Sequence, residues 1–158
     1  MSNHVKTFLV SALLAGTSLA ATAAASEHGT EAEAQEMVRK AVALIKAEGD
    51  AAYRTFTEHP GGAFKDRDMY IWVYDFEGRN LAHGFNPKMV GKLMPDLKDV
   101  DGKEIIKEQI AVVKTKGSGW YGPFKFSNPV SKKIETKRAF CMRGAGDTMV
   151  CSGIYSDQ

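Results

Sequence analysis

The sequence predicts a single α+β domain in which helices come first and a mainly antiparallel sheet follows. Between residues 30 and 58 apolar side chains recur every three or four positions, the period of helices lying on a core. From Tyr70 onward the period falls to two, in stretches rich in aromatic and β-branched residues. Pro, Gly, Asn and Asp punctuate those stretches, and one further helical pattern, residues 103–116, interrupts them.

Composition narrows the class. A chain of 158 residues suits one compact domain. Its 21 basic and 19 acidic residues nearly balance, which argues against a nucleic-acid binder that depends on a large excess of Lys and Arg. At 44% hydrophobic and 25% charged it is too apolar to be disordered. Two cysteines cannot staple a disulfide scaffold and have no zinc-ligand spacing.

The first element is an address. Met1 to Lys6 carries one positive charge, Thr7 to Ala25 carries none and is crowded with Leu, Val and Ala, and Ala23-Ala24-Ala25 closes it. This is the plan of a signal peptide over residues 1–25, cleaved after Ala25, with residues 26–158 exported to the periplasm as one domain. An uncleaved anchor is the other reading, since spanning takes roughly 20 apolar residues, but Ser11, Gly16, Thr17, Ser18 and Thr22 dilute the stretch.

Residues 30–48 read as a helix. Thr30 can cap it, Glu31 and Glu33 suit its positive end, and Met37, Val38, Ala41, Leu44 and Ile45 form its buried stripe. Gly49-Asp50 interrupts it, Ala51 to Glu58 continues it, and His59-Pro60-Gly61-Gly62 ends it. Tyr70 to Tyr74 and Arg79 to His83 read as a hairpin around the turn Asp75-Phe76-Glu77-Gly78. Residues 86–102, with Pro87, Gly91 and Pro95, read as turns. A helix from Lys103 to Lys116 follows, with Ile105, Ile106, Ile110 and Val113 inward, and then strands near 119–126, 134–143 and 148–155.

Several phrases together resemble one family. Tyr70-Ile-Trp-Val-Tyr-Asp75, Gly78, Leu81-Ala-His83, Asn86-Pro87, Val90-Gly91-Lys92, Asp96-Leu-Lys-Asp99, Asp101-Gly102-Lys103, Gly117-x-Gly119-Trp120, Asn128-Pro129-Val130 and Gly153-Ile154-Tyr155 resemble, in content and order, the type 2 single Cache domain. The resemblance runs from about residue 33 to residue 155. It implies a PAS-like fold, a long N-terminal helix backing a five-stranded antiparallel sheet whose other face encloses a small-ligand pocket. Such domains are extracytoplasmic sensors of small organic molecules, often short carboxylates, commonly held between two transmembrane helices. This chain departs from the pattern by ending at Gln158, directly after the last strand, so the expectation is a stand-alone exported binding protein that passes its message to another protein. It also departs at Tyr121-Gly122-Pro123, where Pro inside a strand calls for a bulge or an edge position.

The candidate site residues follow from both sources. Alternation puts Tyr70, Trp72 and Tyr74 on one face of their strand and Ile71 and Val73 on the other. The aromatic row offers apolar walls with N–H and O–H tips, suited either to a pocket or to a core with satisfied polar groups. The resemblance favours the pocket for Trp72 and Tyr74. His83 ends the second strand, where an imidazole can donate or accept and, protonated, can pair with a carboxylate. Lys137 stands where the family often carries Lys, a cation inside the cup for a carboxylate; Arg138 points the other way. Trp120 either closes the pocket or plugs the core. Leu97 to Glu108 nearly matches a calcium loop but has Leu at its first position and Pro95 before it, so it reads as a turn. If Gly144 pairs with Thr148, Cys141 lies opposite Cys151 and a disulfide is feasible; a slip of one residue forbids it.

The expectation is therefore a periplasmic ligand-binding domain for a small molecule, with a short-chain organic acid held by Lys137 and His83 against Trp72, Tyr74, Tyr70 and Trp120. A membrane sensor or transporter is the expected partner, with a homodimer through the N-terminal helix and no nucleic acid. No cofactor, metal site or enzymatic activity is expected: there is no serine elbow, metal cluster or paired nucleophile and base at a recognisable spacing. The competing class is a structural or interaction subunit of an exported complex, its pocket filled by its own side chains.

Overall fold

The computed structural model describes residues 28–156, so the apolar segment before Ala25 lies outside the described residues. The chain opens with α1 (Glu31–Glu48). Its cap is reciprocal: the Thr30 hydroxyl accepts the Glu33 N–H at 3.3 Å, and the Glu33 carboxylate accepts the Thr30 N–H at 2.8 Å. Ala34, Met37, Val38, Ala41, Val42 and Ile45 are buried on one face. Gly49, at φ 60°, ends the helix, and α2 (Ala51–Glu58) adds Ala52 and Phe56 to the same layer. His59 stops α2 as expected, but the following Pro60-Gly61-Gly62 does not remain irregular. Pro60 starts a single turn, α3 (Gly61–Phe64), because a proline at a helix start gives up only an N–H that has no partner there. Phe64 then packs edge-on against Phe56 at 4.8 Å.

The strand expected over Tyr70–Tyr74 divides in two. β1 (Lys65–Asp66) and β2 (Met69–Tyr70) form a small ribbon around Arg67-Asp68, and β3 (Trp72–Asp75) belongs to the main sheet. Ile71 joins them without losing its backbone bonds: its N–H donates to Phe64 at 3.1 Å and its carbonyl accepts from Gly84 at 2.8 Å. Asp68, fully buried, fastens the chain that leads into α1. Its carboxylate meets His28 Nδ1 at 2.6 Å and the Gly29 N–H at 2.9 Å, while Arg67 donates to the His28 carbonyl at 2.9 Å.

β4 (Asn80–His83) returns antiparallel to β3 around a turn in which Asp75 accepts the N–H groups of Glu77 and Arg79. A 3₁₀ turn (Pro87–Met89) and two tight turns lead to α4 (Ile105–Lys116). α4 starts two residues later than the periodicity suggests, because Glu104 is extended and bridges Lys98. The Asp99 carboxylate takes the N–H groups of Asp101, Lys103 and Lys125, so it is spent on the backbone. No cluster of metal-ligating side chains occurs among the described residues.

β5 (Ser118–Ser127), β6 (Ile134–Arg143) and β7 (Thr148–Ser156) complete a five-stranded antiparallel sheet in the order β4-β3-β7-β6-β5. One face, with Ile71, Val73, Phe140 and Val150, packs on α1 and α2. The other, with Tyr70, Trp72, Tyr74, Ala139 and Met149, is covered by Ile105, Ile106, Ile110 and Val113 of α4. β5 is an edge strand and carries the expected bulge: Tyr121 pairs with Ala139 and Phe124 with Lys137, so Gly122 and Pro123 together face Arg138 alone. The Gly144 N–H donates to the Thr148 carbonyl at 3.0 Å, the register that puts Cys141 opposite Cys151, and their sulfurs lie 2.07 Å apart, at disulfide distance.

Candidate functional site

The second face of the sheet and α4 enclose a cup. Lys137, in the middle of β6, is paired with Phe124 on one side and Tyr155 on the other, so its side chain rises between two aromatic neighbours. It is 2% exposed. Its Nζ donates to the hydroxyls of Tyr70 at 2.9 Å and Tyr155 at 3.0 Å, and sits 4.2, 4.4 and 4.4 Å from the ring centres of Tyr70, Trp72 and Tyr155. Burial holds its ammonium form well below the usual lysine range, and Asp68, the carboxylate that opposes this, is itself engaged by His28 and Gly29. Lys137 is thus a buried basic group inside an aromatic cage, with no ion-pair partner among the described residues.

Tyr70, Trp72 and Tyr74 all face this cup, as their alternation implies. Tyr70 stacks in a tilted arrangement on Trp72 at 5.4 Å and on His83 at 5.2 Å. Tyr74 stands opposite Asn80 in the β3–β4 register; its hydroxyl and Asn80 Oδ1 are buried and have no hydrogen-bond partner among the described residues, and burial pushes the phenol up to about 12.

His83 enters the cup as a neutral ring. It is 3% exposed, and its Nδ1 accepts the N–H groups of Asn86 at 2.9 Å and Phe85 at 3.3 Å, which leaves the proton on Nε2. Burial first, and Lys137 second, hold its pKa down at about 3. The imidazolium that would pair with a carboxylate is therefore disfavoured near neutrality, and the ring offers a neutral N–H instead.

Trp120 is the predicted site residue that the fold does not bring to the cup. It packs at 5.6 Å on Phe140, under the Arg138 guanidinium, on the α1 side of the sheet. The reason is the bulge. Counted by alternation, Trp120 shares a face with Phe124 and Phe126, but the extra residue at Gly122-Pro123 exchanges the faces, so Tyr121 packs on the α4 side of the sheet in its place.

Two cup residues were not singled out in the sequence. Tyr155, directly opposite Lys137, holds Nζ and donates its own hydroxyl to the Ser127 carbonyl at 2.7 Å. Gln109, fully buried on α4, accepts the Trp72 indole N–H at 3.3 Å through Oε1, while its Nε2 has no partner among the described residues. A signal for Gln109 was available: it is the polar residue on the apolar stripe formed by Ile106, Ile110 and Val113. The cavity, lined additionally by Met89, Leu97, Ile105, Ile106, Phe124 and Phe126, holds about 290 Å³ between atoms, open water at its mouth included.

A helix-backed antiparallel sheet that folds its open face around a buried basic group defines a PAS-like small-molecule-binding domain. The model of the family described as Single Cache domain 2 matches residues 9–158, and the chain belongs to that family. Cache domains are extracytoplasmic sensory ligand-binding modules, not enzymes. A sensor histidine kinase, MctS of Rhizobium johnstonii, is 33% identical over 92 residues, covering 58% of this chain and 20% of the kinase, so the chain spans about a fifth of that relative's length. Among solved structures, a methyl-accepting chemotaxis protein from Vibrio parahaemolyticus has a TM-score of 0.65 at 23% identity, covering 80% of this chain and 88% of that one. A Cache chemosensory domain solved for its recognition of carboxylic acids has the same TM-score and identity, covering 80% and 92%. A periplasmic sensor domain of a chemotaxis protein gives 0.59 at 26% identity, covering 80% and 90%. No helix among the described residues is long and apolar enough to cross a membrane.

Proposed function

We propose that this domain binds a short-chain monocarboxylate in the cup and serves as the sensing part of a signalling system. The observation that carries the reading is Lys137, a buried basic group walled by Tyr70, Trp72 and Tyr155 and without a carboxylate of its own. A carboxylate entering the cup supplies the missing counter-charge and favours the ammonium form that burial alone opposes, held as a hydrogen-bonded pair. The charge is single because, apart from His83, which is held neutral, no second basic residue and no acidic residue lines the cavity among the described residues, so a second charged group on the ligand would be buried unpaired. The chain is short because Leu97, Ile105, Ile106 and Phe124 close the remaining space. The carboxylic-acid-recognising Cache domain of the same fold, and the sensor kinase that shares part of the sequence, support ligand class and signalling role respectively.

Thermal shift against two- to four-carbon acids tests this. An acid present at about 100 times its Kd stabilises by roughly 2.7 kcal/mol. Lys137→Met should abolish the shift while leaving the unliganded fold at least as stable, since an apolar side chain of similar length replaces a buried basic group. Absence of any shift, or a full shift in Lys137→Met, overturns the reading.

Export accompanies this role. We infer that residues 1–25 are removed on passage to the periplasm and that Cys141 and Cys151 are bonded there. Mass spectrometry of the exported, unreduced protein should find Ser26 as the first residue and no free thiol; an intact leader or two thiols would show otherwise.

A further inference from the structure

Gln109 occupies an unusual position for an amide. It is fully buried, sits on the apolar stripe of α4 and lines the cavity beside Lys137 and Trp72. The orientation of its amide is set by chemistry: the indole N–H of Trp72 can only donate, so the group 3.3 Å from it is Oε1. Nε2, with two N–H donors, is then left without an acceptor among the described residues. Elsewhere in the cup the Tyr70 hydroxyl accepts from Lys137 and His83 Nδ1 takes two backbone amides, while the Tyr74 hydroxyl is another lining group without a partner among the described residues; unlike Nε2, it can accept as well as donate. A buried donor without an acceptor carries a desolvation penalty that a ligand oxygen relieves.

The indole of Trp72 links this donor to the cation. Its ring lies 4.4 Å from Lys137 Nζ, and its own N–H reaches Gln109. A ligand that rests against the indole with its carboxylate at Nζ therefore extends toward the amide. We infer that Gln109 reads an oxygen on the carbon next to the carboxylate, so that the cup prefers 2-oxo or 2-hydroxy monocarboxylates to plain alkanoates of the same length. This rests on the carboxylate reading above and adds a specificity residue to it. The physical basis is asymmetric: an alkanoate loses a hydrogen bond and also leaves the Nε2 donor buried and unpaired.

Calorimetric titration with pyruvate, lactate and propionate, on the wild type and on Gln109→Leu and Gln109→Met, tests the inference. In the wild type, pyruvate or lactate should bind at least about tenfold more tightly than propionate. Both variants should level that ratio, largely by weakening the oxygenated acid. Because the readout is a ratio between ligands on one protein, general damage to the cup does not imitate it, and Gln109→Met preserves side-chain length if Gln109→Leu folds poorly. Equal affinities in the wild type, the result expected if a water alone meets Nε2, overturn the inference, as does a preference that survives both substitutions. If propionate binds and is lost in Lys137→Met while no preference exists, the carboxylate reading stands and the role of Gln109 falls. If no acid binds the wild type, both fall.

Discussion

The two faces of the sheet are built on different principles. On the face toward α1 and α2, Ile71, Val73, Val150 and Phe140 meet Val38, Ala41, Ile45 and Phe56, a packed apolar layer. On the face toward α4, a lysine, a histidine and a glutamine are buried among the apolar residues, and Gln109 Nε2 is left without a partner among the described residues. Burying polar atoms incompletely costs stability. The contrast separates two tasks: one side holds the domain together, and the other keeps polar groups dry and under-satisfied, ready for something that is not part of the chain. A substitution should therefore affect stability or binding according to which face it touches.

The largest expected effect on stability belongs to the helix face. Ile45 is 2% exposed in the middle of that layer, and Ile45→Ala should cost about 2–5 kcal/mol in urea unfolding. Its ligand affinity, measured well below the melting temperature, should not change; a parallel loss of affinity would mean that the two faces are not separable.

The next effect sharpens the comparison through pH. His83 titrates near 3 in the folded state against 6.5 for a free imidazole, so between those values the unfolded chain binds a proton that the native chain does not. Its contribution to stability is complete above pH 6.5 and is lost as pH falls toward 3. Comparing pH 6.5 with pH 4, the wild type should lose about 3 kcal/mol more than His83→Gln. Lys137 has the same sign in a higher window. Its depressed folded value means that unliganded stability rises with pH until the ordinary value of 10.5, whereas a carboxylate complex, which needs the ammonium, weakens as pH rises. Between pH 6 and pH 8 the unfolding midpoint of the unliganded protein and the Kd for the acid should therefore both rise, stability improving while affinity weakens, and Lys137→Met should leave only the shallower stability slope that His83 contributes.

The smallest effect lies far from either layer. Thr30→Ala removes one half of the reciprocal cap of α1 and should cost about 1 kcal/mol with unchanged affinity. A larger cost would show that the entry to α1 matters beyond its cap.

Much of this organisation was legible in the sequence, and the exceptions have physical reasons. The stripe of α1, the strand over residues 134–143 and the alternation of Tyr70, Trp72 and Tyr74 follow from periods that packing enforces. The division of the first strand at Ile71 was not legible, because its ribbon turns through Arg67 at φ 52°, a conformation that arginine does not advertise. For Trp120 the sequence leaves open whether it closes the pocket or plugs the core, and the fold gives the second: a bulge can be inferred from Pro123, but its effect on facing depends on how many residues it inserts, which only the pairing reveals. Gln109 is less legible, because one polar residue on an apolar stripe fits an exposed edge of the helix as well as a buried site, and its hydrogen-bond partner comes from a distant strand.

The fastening of residues 28 and 29 to Asp68 has a mechanical meaning. Asp68 is fully buried, and two residues further on Tyr70 grips the Lys137 amine. Pulling the start of α1 away from that strand would strip a buried carboxylate of the groups that hold it, a separation costing about 3–5 kcal/mol. The start of α1, a helix of 18 residues or about 27 Å, is thereby tied through Asp68 to the strand that carries Tyr70 and so to the Lys137 amine.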